Sequence, residues 1–278
     1  MKIGVSNLLW TRTHDLRVAG LLNRRGIDCI DVAPTRYFPA DRPPAPEEIA
    51  AVRTFWKARG IRIVGMQSLL HGTSGLALFG DEAARAGMHA HLARMIGIGA
   101  GLGATRLVFG SWQNRQRREL SLADAIARAA TFFRPLAELA AGRGMQLGVE
   151  PIHAGYGNDF LVDHDEAAAL VDAVDSPGFG LVLDVGCAGL AGEDLDAVVL
   201  RHGHLVGHVQ LAERDLAPLA GDNRWHEVAG RALGARAPGR AGVPPPIACI
   251  EALTPTDADP LDTVAACLDV ARRWYAGN

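Results

Sequence analysis

Eight short apolar runs recur along the chain, without the regular alternation of apolar and polar residues that marks a half-exposed strand. Strands buried on both faces, as in a parallel sheet, have this pattern. The predicted strands are KIGVS (2–6), IDCIDV (27–32), IRIVGM (61–66), TRLVFG (105–110), MQLGVE (145–150), FGLVLD (179–184), HLVGHVQ (204–210) and IACIE (247–251).

The segments between these runs carry apolar residues at helical spacing. Clear examples are residues 46–60, 81–103, 122–144 and 163–175. Several have end signals: Asp81 and Ser121 are predicted N-caps, and Gly60, Gly103 and Gly144 are predicted C-caps. Strand and helix therefore alternate along the chain.

Eight strand–helix units favour an α/β fold, a single (β/α)8 TIM barrel. An open doubly wound sheet usually has fewer strands and a GxGxxG motif after the first, whereas the first strand here continues into SNLLW. The length of 278 residues and the apolar content of 49% suit one large core, and we expect one domain over residues 1–278. The stretch RALGARAPGRAGVPPP (231–246) is predicted to be a mobile loop.

Four polar residues stand at the ends of four successive predicted strands: Glu150, Asp184, Gln210 and Glu251. The active site of a TIM barrel lies at the C-terminal ends of its strands. One such acid could simply cap a helix or form an ion pair, but three carboxylates that converge need a cation or raised pKa values. We therefore predict one divalent metal ion held by these four residues.

Carboxylate and amide oxygens are hard ligands, so Mn²⁺ or Mg²⁺ is favoured, with Co²⁺ and Zn²⁺ as alternatives. His208 lies two residues before Gln210 and shares its face of the strand. Either side chain could reach the metal. We place Gln210 on the ion and His208 beneath it as a hydrogen-bond donor, and the sequence leaves the choice between them open.

The overall charge narrows the range of partners. A net charge of −3 and a pI near 6.4 give no basic footprint for nucleic acid.

No apolar stretch has the length of a signal peptide or a membrane span, and the four cysteines lack CxxC spacing. These features predict a cytoplasmic protein without disulfides and without a membrane partner, and they leave the oligomeric state open, a homo-oligomer included.

The strand-end residues and several longer motifs resemble the xylose isomerase-like TIM barrel superfamily of sugar isomerases and epimerases, which also contains endonuclease IV. The motifs are GMQSLLHGTSGLALFGDEAARAGM (65–88), LVFGSWQNR (107–115), VEPIHAGYGNDF (149–160), DSPGFGLVLDVG (175–186) and HVQLAERDLAPL (208–219). The resemblance implies metal ligands at Glu150, Asp184, Gln210 and Glu251; hydroxypyruvate isomerase has a similar HxQ strand with the glutamine on the metal. It also implies a carbohydrate-like substrate and proton transfer through a metal-stabilised enediolate, with Glu150 and Glu251 as the acid–base pair.

Three substrate contacts of the related ketose 3-epimerases are missing from this sequence. Those enzymes have a histidine three residues past the metal aspartate, where this chain has Cys187. They have an arginine six residues past the metal histidine and a glutamate six residues past the first metal ligand, where this chain has Leu216 and Tyr156. These departures argue against ordinary free-ketose 3-epimerase activity.

Further residues near strand ends are predicted to line the substrate pocket: His71, Trp112, Arg115, Tyr156, His208 and His226, with Asn7, Gln67, Asn114 and Asp159 as weaker candidates. The favoured function is a metal-dependent isomerase or epimerase of a sugar, keto-sugar or hydroxy-keto acid. A metal-dependent lyase or dehydratase that uses the same enolate, and a sugar-binding barrel without catalysis, stay open as alternatives. An endonuclease IV-like enzyme is disfavoured because it would need more strand-end histidines and a basic rim.

Overall fold

The computed structural model describes residues 1–39, 42–236, 239 and 245–276. Eight parallel strands close into one barrel, in which each strand pairs with the next and the eighth pairs with the first. The strands are β1 Lys2–Ser6, β2 Cys29–Val32, β3 Arg62–Met66, β4 Arg106–Phe109, β5 Gln146–Val149, β6 Phe179–Asp184, β7 Val206–Leu211 and β8 Ile247–Ile250. The predicted (β/α)8 TIM barrel is confirmed.

Helices between the strands form the outer layer. They are α1 Asp15–Arg24, α2 Pro46–Lys57, α3 Glu82–Leu102, α4 Leu122–Ala141, α5 His164–Val174, α6 Val185–Ala191, α7 Leu195–His202, α8 Arg224–Gly234 and α9 Pro260–Tyr275. The predicted N-caps are confirmed, because the side chains of Asp81 and Ser121 accept hydrogen bonds from the first turns of α3 and α4. Gly103 ends α3 with φ of 87°, a conformation that glycine adopts without strain.

Some predicted boundaries were wrong. Residues Gly203–Leu205 form a 3-10 turn, so β7 starts two residues later than the apolar run suggested. Helix α4 ends at Ala141 with Gly142 as its C-cap, and Gly144 lies beyond it in the turn before β5. The predicted loop over residues 231–246 begins inside α8. Most of the rest of that loop, residues 237, 238 and 240–244, lies outside the described residues.

The apolar layer between strands and helices holds the barrel from outside. The Phe133 ring on α4, for example, lies 5.2 Å from the Phe109 ring on β4 and 5.1 Å from the Phe179 ring on β6, measured between centroids. Aromatic pairs at this spacing add to the free energy gained by burial. Helix α4 is thereby held over strands β4 and β6.

The inside of the barrel is polar as well as packed. Arg106 on β4 donates a hydrogen bond across the barrel to the carbonyl of Gly207 on β7 at 2.7 Å. Gln146 fills the neighbouring space, because a Cβ atom at Gly207 would lie 1.7 Å from its Oε1. Glycine is therefore required where this side chain crosses the barrel. These contacts close the lower barrel beneath the strand-end residues.

Two sequence expectations concern the chain as a whole. No helix in the described part of the chain is long and apolar enough to cross a lipid bilayer. All four cysteines are buried free thiols. The cytoplasmic location and the single domain over residues 1–278 stay predictions.

Candidate active site

The ends of β5 to β8 bring the four predicted metal ligands to one side of the barrel mouth. Glu150 and Glu251 directly follow β5 and β8, Asp184 ends β6, and Gln210 lies in β7 beside Asp184 in the strand register. All four are buried, with exposed fractions between 1% and 8%. Parallel strands of a closed barrel place successive strand ends side by side, and this geometry collects the four side chains.

Three of these side chains are carboxylic acids, and their pKa values are raised in the metal-free protein. Burial raises the pKa of Glu150 well above its ordinary value, and the nearby carboxylates of Glu251 and Asp184 raise it further. Burial, followed by the charge of Asp184, likewise raises the pKa of Glu251. The pKa of Asp184 is raised chiefly by burial. A cation among the three would remove this mutual repulsion.

Both carboxylate oxygens of Glu251 accept hydrogen bonds from amide groups. Gln67 Nε2 donates to Oε1, and Gln210 Nε2 donates to Oε2 at 2.5 Å. The amide oxygens of Gln67 and Gln210 are buried, and neither has a hydrogen-bond partner within the described chain. A buried acceptor without a partner is costly. Gln210 Oε1 therefore lacks a partner that the described chain could supply, and a hard divalent cation is a partner that suits such an oxygen.

Asp184 also has the structural role that a strand-end acid can have. Its Oδ1 accepts a hydrogen bond from the backbone N–H of Cys187 at 2.7 Å and so caps α6. A helix-capping interpretation and a metal-binding one are therefore compatible for this residue, because each carboxylate oxygen has two lone pairs.

The loop after β4 supports Glu150 in two ways. A Cβ atom at Gly110 would lie 2.1 Å from Oε2 of Glu150, so this carboxylate occupies the space that a side chain would take. Arg115 is fully buried, and its Nη2 donates to the backbone carbonyl of Glu150 at 2.8 Å. Its positive charge lowers the pKa of Glu150, against the larger effect of burial. Arg115 is thus a buried support for Glu150.

We expect Gly110→Ala to weaken divalent metal binding by at least about 10-fold while the protein stays folded, because the new methyl group must displace the Glu150 carboxylate. Mn²⁺ titration and circular dichroism check the two parts. The same substitution at Gly20 is the control, because a Cβ atom there meets nothing nearer than Arg24 Nη1 at 3.5 Å. Equal Mn²⁺ affinity in both variants would contradict the expectation.

A cleft of about 820 Å³ opens above these residues. Its floor contains Glu150, Asp184 and Glu251, and its walls include five residues that the sequence had suggested: Gln67, His71, Trp112, Asn114 and Tyr156. The described lining contains no lysine or arginine, whereas Glu213 and Asp215 add two further acids. The cleft is therefore polar and has a surplus of negative charge.

Three predicted pocket residues lie outside the described lining of this cleft: Arg115, His208 and His226. His208 is buried and its Nε2 lies 2.7 Å from Asp31 Oδ2 inside the barrel. His226 is buried between Tyr275 Oη, 2.8 Å from its Nδ1, and Glu213 Oε1, 3.3 Å from its Nε2. These placements give all three a supporting position, and direct substrate contact stays a prediction for them.

Two of the four weaker candidates, Asn7 and Asp159, make structural contacts outside the cleft. Asn7 Oδ1 accepts a hydrogen bond from the backbone N–H of Ala33 at 2.7 Å, which links the loops after β1 and β2. The carboxylate of Asp159 accepts backbone N–H bonds from Arg117 and Arg118 at 2.8 and 2.9 Å. Neither residue is among those that line the cleft in the described structure.

The sequence analysis missed three acids of the region: Asp31, Glu213 and Asp215. Glu213 lines the cleft, and its Oε1 lies 3.3 Å from His226 Nε2. Asp31 is a completely buried partner of His208, and its only signal was an acid inside the apolar run IDCIDV. Asp215 lies in the loop after β7, where its Oδ1 accepts a hydrogen bond from Tyr156 Oη at 3.0 Å. This bond joins the loops after β5 and β7 at the cleft.

The raised pKa values predict that metal-free protein loses stability as the pH rises. The unfolded chain releases the protons of Glu150 and Asp184 near the ordinary values of 4.5 and 3.8, whereas the fold retains them to higher pH. Between the ordinary pKa values and the raised folded-state values, rising pH therefore lowers the free energy of unfolding. The decrease is complete once the pH exceeds the folded-state pKa values. Metal binding needs the deprotonated forms, so the metal contributes more at higher pH.

We therefore expect the gap in melting temperature between Mn²⁺-loaded and EDTA-treated protein to widen between about pH 5 and about pH 8. Thermal melts in both conditions measure this gap. In Glu150→Gln, which removes one titrating group and one proposed metal ligand together, the gap should shrink. A gap that is constant over this pH range would contradict a metal bound by these acids.

The sequence and the fold both have known relatives. A family model described as "Xylose isomerase-like TIM barrel" matches residues 20–269. No protein with curated annotation matches the sequence significantly. D-psicose 3-epimerase, solved in the presence of D-fructose, superimposes with a TM-score of 0.79 at 18% identity over 100% of both chains.

Two further solved structures are similar. The apo form of 3-keto-D-glucoside 4-epimerase from E. coli has a TM-score of 0.73 at 17% identity, over 96% of this chain and 98% of that one. The IolI protein with a bound zinc atom has a TM-score of 0.74 at 14% identity, over 99% of each chain. At these identities the likeness establishes the fold, whereas the family model covers most of the sequence. The chain therefore belongs to the xylose isomerase-like TIM barrel family.

Proposed function

We propose that this protein is a divalent-metal-dependent isomerase or epimerase of an uncharged, sugar-like substrate. The observation that carries the proposal is the pair of buried carboxylates, Glu150 and Glu251, which line the floor of the cleft together with Asp184. In the strand order they lie on either side of Asp184 and Gln210. A binding protein has no need for two acids in such a position. The similar solved structures include sugar epimerases, which supports the same class of reaction.

In the proposed mechanism one divalent ion would be held by Glu150, Asp184, Gln210 and Glu251. The ion would polarise a substrate carbonyl and make the neighbouring C–H bond more acidic. One of the two glutamates accepts the proton from carbon, and the other returns a proton to the opposite face or to the next carbon. The first outcome is epimerisation and the second is isomerisation.

The donor set favours Mn²⁺ or Mg²⁺. The ligand atoms of Glu150, Asp184 and Cys187 lie within 4.8 Å of one another, so a thiol is close to the oxygen ligands. Burial and the neighbouring carboxylates raise the pKa of the Cys187 thiol in the metal-free protein. The other proposed donors are three carboxylates and one amide oxygen, and this majority of hard oxygens favours Mn²⁺ or Mg²⁺.

The charge of the cleft favours an uncharged substrate. Sugar phosphates and sugar acids are usually held by arginine or lysine, and the described lining has neither. Glu213 and Asp215 would repel a substrate phosphate. Hydroxyl and amide groups of Ser68, Thr73 and Asn114 in the same wall suit the hydroxyl groups of a neutral sugar.

The test is elemental analysis of the purified protein, followed by incubation with sugars in D₂O under NMR, before and after chelation. The panel pairs each neutral ketose, aldose and keto-glycoside with a phosphorylated or carboxylated counterpart. Metal-dependent deuterium entry beside a carbonyl in neutral members supports the proposal, and preference for the charged members would overturn its substrate class. Release of a leaving group would indicate a lyase, and a metal-free protein without exchange would leave a sugar-binding barrel.

A further inference from the structure

Gln67 reaches across the barrel mouth to one of the two proposed acid–base residues. It directly follows β3, and its side chain is 1% exposed although it lines the cleft. Its Nε2 donates a hydrogen bond to Oε1 of Glu251, which follows β8. Strands β1 and β2 lie between these two strands in the barrel order, so the contact is made only by the closed fold.

The backbone around Gln67 fixes the direction in which its side chain extends. Its N–H donates to the carbonyl of Val32 on the neighbouring strand at 3.0 Å. The next residue, Ser68, has φ of 54°, in the left-handed region that residues other than glycine seldom adopt. Such strained positions persist where the surrounding structure holds them, and they concentrate at functional sites.

The two oxygens of Glu251 are distinguished by their partners. Oε2 is held by Gln210, whose own free oxygen is the proposed fourth metal ligand, so Oε2 is the oxygen that belongs to the metal side. Oε1 is held by Gln67, which lines the substrate cleft. An amide N–H orients a carboxylate without supplying a proton of its own, because the amide is not an acid in water.

We propose that Gln67 is a positioning residue that holds Oε1 of Glu251 as the oxygen that exchanges the proton with substrate. This proposal rests on the proposed function. Without the Gln67 amide, the Glu251 carboxylate is free to turn both oxygens toward the ion, and the oxygen that serves the substrate is lost.

Gln67→Met keeps the side-chain length and removes the donor. We expect the variant to bind one Mn²⁺ with a Kd within about threefold of wild type, while kcat for deuterium exchange falls roughly 10- to 100-fold at nearly unchanged KM. Gln210→Met, in contrast, should weaken Mn²⁺ binding in addition to lowering the exchange rate. Gln116→Met is the matched control and should behave as wild type, because Gln116 lies outside the described cleft lining and its Nε2 donates, in the described structure, only to the backbone carbonyl of Trp112.

Three kinetic or metal-binding results would overturn the proposal, and so would one structural result. A raised KM at unchanged kcat would make Gln67 a substrate-binding residue, a lost Mn²⁺ site would make it a ligand, and wild-type kinetics would remove it from the reaction. A crystal structure of the Mn²⁺-loaded protein gives a readout that needs no substrate. Oε1 of Glu251 on Gln67 with Oε2 on the ion supports the proposal, and both oxygens on the ion overturn it. If wild type exchanges no sugar proton, the proposed function fails, and the crystal structure still decides the contact.

Discussion

Replacing Glu251 by glutamine is expected to lower turnover by at least about 100-fold without loss of the fold, the usual scale for removing an acid–base group. The fold should survive because the new amide has the same shape and finds partners at once. Gln67 has a free buried amide oxygen, so its amide can rotate to accept a hydrogen bond from the new one while Gln210 keeps its oxygen for the metal. Turnover falls because an amide neither accepts nor donates a proton at neutral pH.

The measurement is the rate of deuterium exchange into the sugar that the panel identifies, with circular dichroism to follow the fold. Asp257→Asn is the matched control, since Asp257 is an exposed acid in the loop after the same strand and should be replaceable without effect. Turnover of Glu251→Gln within about threefold of wild type would exclude this carboxylate as a proton carrier.

Replacing Asp184 by asparagine is expected to weaken Mn²⁺ binding by more than the roughly 10- to 100-fold that loss of an outer hydrogen bond costs. Asp184 ends β6, between the strands that carry the other proposed ligands, and its charge raises the pKa values of both Glu150 and Glu251. Its removal takes one negative charge from the ion. The same change lowers the repulsion on Glu150, so the metal-free protein should become more stable as the metal-bound form is lost.

Asparagine is preferred over alanine here because Asp184 also caps α6. Asparagine keeps a cap acceptor, whereas alanine would cost about 1 kcal/mol in helix stability and confuse the two roles. Isothermal titration with Mn²⁺ and thermal melting separate them. Stoichiometric Mn²⁺ binding at wild-type affinity in Asp184→Asn would place the metal site elsewhere.

The local chemistry of the sequence accounts for much of the barrel. Asp81 and Ser121 cap helices where the sequence predicted, because a capping side chain acts on the turn that follows it in the chain. The exact limits were less predictable. The run HLVGHVQ looks apolar from its start, yet Gly203–Leu205 turns before β7 begins. Whether such a residue extends or turns depends on packing, which the run itself does not contain.

Within the site, too, some features could be predicted from the sequence and others could not. Their convergence could be predicted because parallel strands of a barrel end at one mouth, so Glu150, Asp184, Gln210 and Glu251 needed only the right strand order. Arg115 could not be placed in this way. The sequence predicted that Arg115 lines the substrate pocket, but the fold buries it against the backbone of Glu150.

The sequence by itself determined the alternation of strands and helices, the helix caps and the set of acids at the barrel mouth, because each depends on neighbours along the chain or on strand order. Only the tertiary structure decided the partners of those residues: Asp31 for His208, Gln67 for Glu251, and Tyr156 for Asp215. Each of these contacts joins strands or loops that are far apart in the chain. Such pairing follows from barrel closure and side-chain packing, and these leave no local pattern for the sequence to display.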